Sequence, residues 1–502
     1  AQAILAQTAS CSCGAEPWER ADLVGAPGTR PMLSPCSCVQ IFRNARYRDH
    51  EFDSWAEHVV DGEIVTHPAD GDDASNTSRR LDTAPHILLP ANYGQLVRHD
   101  AALRSSASNS NSKACQAALD ELGTWRMDVF AFAALPQHDG HPLGAMVQCL
   151  FGEPRLARRM QATGLVGTLP AQAYRGTPEA FQSRIFRYME SIDGLYSKVP
   201  YHSSTHAADA MSTMEYFLST NVLQSFCSTL DHIVCLIAAG VHDVGHPGRS
   251  NAFQINTASK IALRYNDMSP LENMHAALSF EIMNRDEKCN WRSLLEASGS
   301  EGITSPLHPQ SQVRKMMLSM VLATDNAHHS RLMTKWRELL EWQNLTVAPS
   351  ELRSLKRPEN AEKKQVVLDV VMHMADISNP AKPLNIAMPW TRALLLEYWA
   401  QGDEEQRLGL PISPLCSRSA GAPEVPKGQI DFIKFFVLPS YTSLALAISE
   451  SEEAVKHLNT NLEFWQSKQR EQATFAQLFE EEEALTETPG QRVLAMSSMT
   501  PE

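Results

Sequence analysis

Long apolar segments with helical spacing constrain the fold of this chain more than any other feature. Four of them cover residues 229–241, 313–323, 365–375 and 389–400, with apolar residues at positions i, i+3 and i+4. They are longer than an average β-strand, and no convincing run of alternating polar and apolar residues accompanies them. The sequence therefore predicts an all-α fold with a compact multi-helix domain.

The composition changes near residue 115. Residues 1–115 are rich in Pro, Gly and Asp, and the Ser/Asn-rich stretch 105–112 is typical of a flexible linker. Residues 116–470 carry the long helical segments, and Glu480–Glu483 precede a stretch of Ser, Thr and Pro. We expect a poorly structured region over 1–115, one folded domain over 116–470 and an acidic, disordered tail over 471–502.

The charge of the chain argues against nucleic acid as a partner. The formal net charge is −14 at pH 7, whereas binding to a phosphate backbone requires clustered Lys and Arg. If the ligand is nevertheless an anion, the positive potential must be local, and bound metal ions are one way to create it.

Cysteine usage and hydropathy predict a reducing, cytoplasmic location. The ten cysteines lack the dense spacing of a secreted disulfide scaffold. The pairs Cys11/Cys13 and Cys36/Cys38 could bind zinc, but their spacing fits no familiar zinc finger, so we favour structural or incidental cysteines. No stretch reaches the ~18–20 apolar residues of a membrane span. Since the chain begins with Ala, membrane association through an upstream segment is left open.

Two histidines four residues apart, His202 and His206, lie in the segment 201–209. At that spacing we predict that both imidazoles lie on one face of a helix. Such a pair by itself is equally typical of histidines that are buried for structural reasons.

Charged residues end two of the apolar helical segments. His242 and Asp243 follow the first, and Asp376 follows another. Charges are costly to bury unless they are paired or bound to a cation. Imidazole and carboxylate together suit zinc, whereas carboxylate and water suit magnesium or manganese. Three such segments in one domain predict a metal centre, with two ions if one Asp bridges them.

Taken together, these motifs resemble the catalytic domain of the class I cyclic-nucleotide phosphodiesterases, within the wider group of HD-type metal hydrolases. The resemblance covers roughly two-thirds of the chain and identifies residues 116–470 with that domain. The matching segments are Trp125–Phe130, Tyr201–Asp209, His242–Asn251, Tyr265–Asn273, Ala323–Asn326, Ala375–Pro383, Gln401–Asp403, Ile412–Pro414 and Lys427–Pro439.

The resemblance implies two divalent cofactors. One ion, usually zinc, would be held by His206, His242, Asp243 and Asp376. Asp243 would also bridge to a second ion, usually magnesium, with manganese as an alternative. The remaining ligands of that ion would be waters anchored by the side chains of His246, Glu272, Thr324 and Asp325.

The implied activity is hydrolysis of the 3′ phosphoester bond of cAMP, cGMP or both to the 5′-monophosphate. A hydroxide bridging the metals would attack phosphorus, and His202 would be the general acid that protonates O3′. The sequence does not identify the side chain that orients His202.

The resemblance also implies a nucleotide pocket. Gln429 and Phe432 match the purine-reading glutamine and the stacking aromatic, Leu394 would be the opposing apolar wall, and Tyr201 and Asn379 would flank the pocket. Phe432 on its own is more often a core residue, and only its register in the family motif identifies it with the stacking aromatic. A glutamine amide can flip to suit either purine, so the choice between cAMP and cGMP stays open.

Three positions depart from the family pattern, and two other functions stay open. Ser203 replaces the usual Asn, Gly245 replaces an Asp before His246-Pro247-Gly248, and Asp431 also differs. The alternatives are a catalytically weak domain that binds cyclic nucleotide to regulate a partner, and an HD-type hydrolase of another phosphoester. A homodimer is left open.

Overall fold

All regular secondary structure in the described part of the chain is helical. The computed structural model describes residues 120–152 except 136, 137 and 139, then 178–295, 309–342, 349–420, and 424–479 except 476. No β-strand occurs in these ranges, so the predicted all-α fold is confirmed. The CxC cysteines, the boundary near residue 115 and the tail at Glu480–Glu483 lie outside them.

The α-helices of these ranges are numbered here in chain order. The first eight are α1 (Val129–Ala133), α2 (Pro142–Phe151), α3 (Pro178–Asp193), α4 (Ser204–Leu218), α5 (Asn221–Phe226), α6 (Thr229–Val241), α7 (Asn251–Asn256) and α8 (Lys260–Arg264). The others are α9 (Pro270–Arg285), α10 (Pro309–Leu322), α11 (His329–Trp342), α12 (Ala361–Asp376), α13 (Leu384–Arg407), α14 (Glu424–Phe432), α15 (Leu438–Ala445) and α16 (Glu452–Glu471).

Shorter helical turns join several of these helices. The 3₁₀ turns are Trp291–Leu294, Asn326–His328, Pro349–Lys356, Pro358–Asn360, Asn379–Ala381, Arg418–Ala420 and Ser449–Ser451. A π-helix, Ile433–Val437, connects α14 directly to α15.

Helix α6 is the central helix of the domain. Its bounds equal the predicted segment 229–241, and every residue except Leu230 is buried. A helix that is apolar all round has no face suited to water, so other helices must enclose it. Helices α4, α10 and α12 pack against it. A capping box between Ser228 and Asp231 fixes its first turn.

The other three predicted helices occur with shifted ends. Helices α10 and α12 begin four residues before the predicted starts of 313 and 365. Helix α13 begins five residues before its predicted start and contains Pro389. The buried Met388 and Trp390 flank Pro389 and anchor this part of α13 in the core, and the proline removes only one backbone hydrogen bond.

Trp125 ties the N-terminal end of the described domain to the region after α12. Its indole Nε1–H donates to the carbonyl of Ala381 at 2.7 Å. The ring also makes edge contacts with Tyr216 and Phe217 of α4. None of the described helices is both long enough and apolar enough to cross a bilayer.

Candidate metal centre

Three helix ends bring the four predicted metal ligands together. His206 lies in the first turn of α4, His242 and Asp243 directly follow α6, and Asp376 is the last residue of α12. One ligand atom from each lies within 4.8 Å of the others. The convergence follows from the packing of α4 and α12 against α6.

The spacing of these atoms suits a tetrahedral metal ion. His206 Nε2 lies 2.9 Å from Asp376 Oδ1 and 3.6 Å from Asp243 Oδ2. His242 Nε2 lies 3.2 Å from both of these oxygens and 3.3 Å from His206 Nε2. Around zinc, with bonds of about 2.0–2.1 Å, tetrahedral ligand atoms lie about 3.3–3.4 Å apart. The donor set therefore fits a divalent metal ion.

The hydrogen bonds of His242 support this fit. Its Nδ1–H donates to the carbonyl of Ala239 at 2.8 Å, so in the neutral ring Nε2 carries a lone pair. That lone pair faces carboxylate oxygens of Asp243 and Asp376, an arrangement that is unfavourable unless a bound cation or a proton lies between them. Burial opposes a charged His242, but the two carboxylates outweigh it and raise its pKa well above the usual value.

Two further acids, the half-buried Glu272 and the buried Asp325, form an acidic group beside Asp243. Glu272 is held by Asn251, whose Nδ2–H groups donate to its two oxygens at 3.0 and 2.9 Å. Burial, and then the charge of Asp325, raise the pKa of Glu272 to about 8. Asp325 accepts a hydrogen bond from Ser269 Oγ at 2.7 Å. A second cation would relieve the repulsion within this acidic group.

The other residues predicted to anchor the waters of the second ion also have defined hydrogen-bond partners. Thr324 is buried, and its hydroxyl donates to the carbonyl of Val321 at 2.7 Å. His246 accepts a hydrogen bond at Nδ1 from the Gly248 N–H at 3.0 Å. Sequence reasoning missed His275, whose Nδ1 donates to the Val244 carbonyl at 2.8 Å while Nε2 lies 3.7 Å from Asp243 Oδ1. His275 lies three residues after Glu272, on the same face of α9, and this spacing could have identified it as part of the site from the sequence.

His202 does not share a helix with His206, so that prediction is wrong. Helix α4 begins only at Ser204. Glu397 of α13 accepts the backbone N–H groups of Tyr201 and His202 at 2.7 and 2.8 Å, which holds this segment outside the helix. The same carboxylate lies 2.6 Å from His202 Nδ1.

Glu397 is thus the orienting partner that the sequence did not reveal. Burial lowers the pKa of His202, but the charge and hydrogen bond of Glu397 outweigh it and raise the pKa to about 9. The ring of His202 also stacks on His246 with centroids 3.8 Å apart. Glu397 is itself buried within an apolar helical run.

Two of the five predicted pocket residues are in direct contact. The Tyr201 hydroxyl donates to Asn379 Oδ1. Asn379 Nδ2–H donates in turn to the buried carboxylate of Asp209 at 2.9 Å. Since a carboxylate only accepts, it fixes which way the Asn379 amide faces.

The remaining pocket residues lie on two helices. Leu394 is half-buried on α13, and Gln429 and Phe432 are buried on α14. Phe432 stacks on Phe436 with centroids 5.3 Å apart. Asp431, one of the departures, pairs with Lys427 at 3.2 Å, and both side chains are exposed.

Of the other two departures, Gly245 has a local structural explanation, and nothing in the structure explains Ser203. Gly245 has φ +76°, in the left-handed region where glycine is least strained, and a Cβ there would lie 2.8 Å from Leu278 Cδ1. Ser203 is the N-cap residue of α4, and its hydroxyl donates to the Tyr201 carbonyl at 3.4 Å rather than capping the helix.

Comparison with known proteins agrees with this geometry. The sequence profile of the family described as 3′5′-cyclic nucleotide phosphodiesterase matches residues 201–458. That match spans half of the chain and includes the whole metal centre. The chain belongs to this family.

Individual relatives show the same likeness. The chain is 33% identical over 353 residues to 3′,5′-cyclic-AMP phosphodiesterase 4C of Mus musculus, covering 70% of this chain and 46% of that protein. It is 32% identical over 352 residues to the Rattus norvegicus protein of the same name, covering 70% of this chain and 59% of that one. The chain spans about half the length of the curated relatives it matches.

A solved structure has the same fold. The phosphodiesterase domain of Salpingoeca rosetta rhodopsin phosphodiesterase superposes with a TM-score of 0.55 at 25% sequence identity. The superposition covers 74% of this chain and 97% of that domain.

Proposed function

We propose that this protein hydrolyses the 3′ phosphoester bond of 3′,5′-cyclic nucleotides to give the 5′-monophosphate. One juxtaposition carries the proposal. Four ligand atoms at tetrahedral spacing lie beside a histidine that a buried carboxylate orients. Metal and general acid are the two elements that cleavage of a phosphodiester needs.

We propose zinc at the site of His206, His242, Asp243 and Asp376, and magnesium or manganese beside Asp243. Two imidazoles and two carboxylates are a zinc-type donor set. The acidic group beside Asp243, to which Glu272 and Asp325 belong, suits a hard cation that keeps several of its bound waters. Bound ions would neutralise charge on the phosphoryl group and lower the pKa of coordinated water.

His202 is the proposed general acid. Nδ1 faces Glu397 at 2.6 Å, so Nε2 is the nitrogen that can deliver a proton to the leaving O3′. A pKa of about 9 keeps the ring protonated at neutral pH. Glu397 also accepts the backbone N–H of His202, so the same carboxylate restrains both the main chain and the ring at this position.

Recognition of the base is assigned to the aromatic side of the pocket. Phe432 would stack on the purine, Leu394 would contact its other face, and Gln429 would hydrogen-bond to its edge. Asn379 and Tyr201 would border the same space. Because the relatives in mouse and rat are named cyclic-AMP phosphodiesterases, cAMP is the first substrate to test, with cGMP beside it.

A reducing, cytoplasmic location is also proposed. Four cysteines of the described ranges, Cys227, Cys235, Cys289 and Cys416, are buried free thiols. Oxidation of these buried thiols would disrupt the packing around them. The acidic net charge of −14 argues against nucleic acid as a partner, and bound metal ions would supply the local positive potential that an anionic cyclic nucleotide needs.

A metal analysis combined with a hydrolysis assay tests the proposal. The purified full chain should contain metal and convert cAMP, cGMP or both to the 5′-monophosphate, and chelation should abolish turnover. Binding of cyclic nucleotide without turnover would instead indicate a regulatory domain. Turnover of other phosphoesters but of neither cyclic nucleotide would indicate a different HD-type hydrolase.

A further inference from the structure

A column of aromatic rings connects the proposed base site to the helix that ends in Asp376. We call Phe432, Phe436, His329 and His373 the ring column. Phe432 stacks on Phe436 with centroids 5.3 Å apart and planes 27° apart. Phe436 stacks on His329 at 3.7 Å and 22°. His329 Nδ1 lies 2.9 Å from His373 Nε2.

The column crosses an irregular part of the backbone. Phe436 belongs to the π-helix Ile433–Val437, which interrupts the path from α14 to α15. A π-helix has a wider turn than an α-helix and occurs preferentially at functional sites. Phe436, within this wider turn, stacks on both Phe432 and His329.

His329 has a polar neighbour at each ring nitrogen. The Ser440 hydroxyl donates to the Phe436 carbonyl at 2.7 Å, and its oxygen lies 3.4 Å from His329 Nε2. The bond between His329 Nδ1 and His373 Nε2 needs a proton on one of these nitrogens and a lone pair on the other. Burial, followed by the neighbouring His373, lowers the pKa of His329 to about 3, and burial lowers that of His373 to about 4. Both rings are therefore neutral near pH 7, as this bond requires.

His329 lies where three elements of the site meet. It begins α11, directly after the 3₁₀ turn that Asp325 caps. Its hydrogen bond reaches α12, the helix that ends in Asp376, and its stacking face reaches the segment that follows Phe432. His373 is fully buried, so its position is fixed by the core.

We propose that His329 is a positioning residue that sets the place and tilt of Phe432 relative to the metal centre. It acts through Phe436 on one side and His373 on the other, and touches neither substrate nor metal. This inference rests on the proposed function in one respect, since it takes Phe432 as the residue that stacks on the base.

Two substitutions separate the two contacts of His329. His329→Asn retains a polar group toward His373 but removes the ring that stacks on Phe436. His329→Phe retains a stacking ring but removes the hydrogen bond. Ser330→Ala, at the exposed next position of α11, is the matched control.

The measurement is calorimetric binding of 5′-AMP and of inorganic phosphate to the metal-loaded full chain. AMP engages both the metal centre and the base site, whereas phosphate engages the metal centre alone. We expect His329→Asn to raise the Kd for AMP about five- to tenfold and His329→Phe to raise it about two- to threefold. The Kd for phosphate should stay within about twofold in both variants.

Other outcomes overturn the inference. An equal rise for AMP and phosphate would mean that His329 supports the metal centre or the fold as a whole, and unchanged AMP binding in both variants would mean that it positions nothing. Turnover of cAMP, measured in parallel, tests the proposed function separately. A wild-type chain that binds AMP but hydrolyses nothing would refute the proposed function and leave the binding comparison intact.

Discussion

Helices α4, α6 and α12 present the four ligand atoms of the metal centre at or beside their ends. The aromatic side of the pocket instead lies along the length of α14 and the π-helix that follows it. The first region consists of charged groups buried where three helices converge. The second consists of apolar rings and an amide on a single stretch of chain.

This difference explains why the two regions are not equally visible in the sequence. A histidine or aspartate directly after a buried apolar helix is costly unless something neutralises it, so it stands out. A phenylalanine in an amphipathic helix is typical of any hydrophobic core. The same difference predicts how each region responds to substitution.

The largest effect is expected at the metal centre. Asp376→Ala removes a ligand from the group of four, and we expect metal affinity to fall by more than about 100-fold, with turnover lost accordingly. Metal analysis after dialysis measures this. Asp369→Asn is the control, since Asp369 lies two turns earlier on α12 and is bound by Ser319 and Gln365. Full metal occupancy in Asp376→Ala would refute its role as a ligand.

The next largest effect is expected at His202. His202→Ala should lower kcat by about 100-fold or more, the usual loss of a general acid. Its ring lies beside the metal centre but is not among the four converging ligands, so metal content should be unchanged. A variant with wild-type kcat would remove the general-acid assignment.

Glu397→Gln should move the pH profile. The ring of His202 is protonated below its pKa, which Glu397 holds at about 9. Without that charge the pKa of His202 falls. As the pH is raised, the active protonated ring is then lost earlier, and the basic limb of the pH profile of kcat moves to lower pH. At about pH 8 a return toward the ordinary value of about 6.5 lowers the protonated fraction at least about tenfold.

The exposed carboxylate Asp403, on the same helix, provides the control for this change. It pairs with Arg418 at the surface, and Asp403→Asn should leave the pH profile unchanged. An unshifted basic limb in Glu397→Gln would separate Glu397 from the ionisation of His202.

A smaller effect is expected at the proposed binding site for the purine base. Phe432→Ala should raise the KM for cAMP about five- to tenfold with kcat changed little, in line with loss of a base-stacking ring. Phe435→Ala is the matched control, because Phe435 is three residues further along and 67% exposed. If both variants raised KM equally, Phe432 would have no specific part in binding the base.

The sequence alone determined the helical class and the set of charged residues that meet at the metal centre. Both depend on local patterns. Helical periodicity follows from 3.6 residues per turn, and a charge next to an apolar run is anomalous wherever it occurs. Glu397 could have been found by the same reasoning as Asp376, because it too lies in an apolar helical run.

Only the tertiary structure decided the partners of these residues. Glu397 meets His202 across 195 residues of chain, and by binding that backbone it holds His202 outside α4, against the expectation from spacing. The pairing of His329 with His373 likewise depends on how α11 packs against α12. Periodicity specifies which face of a helix is buried, whereas the packing of helices distant in sequence decides what that face contacts.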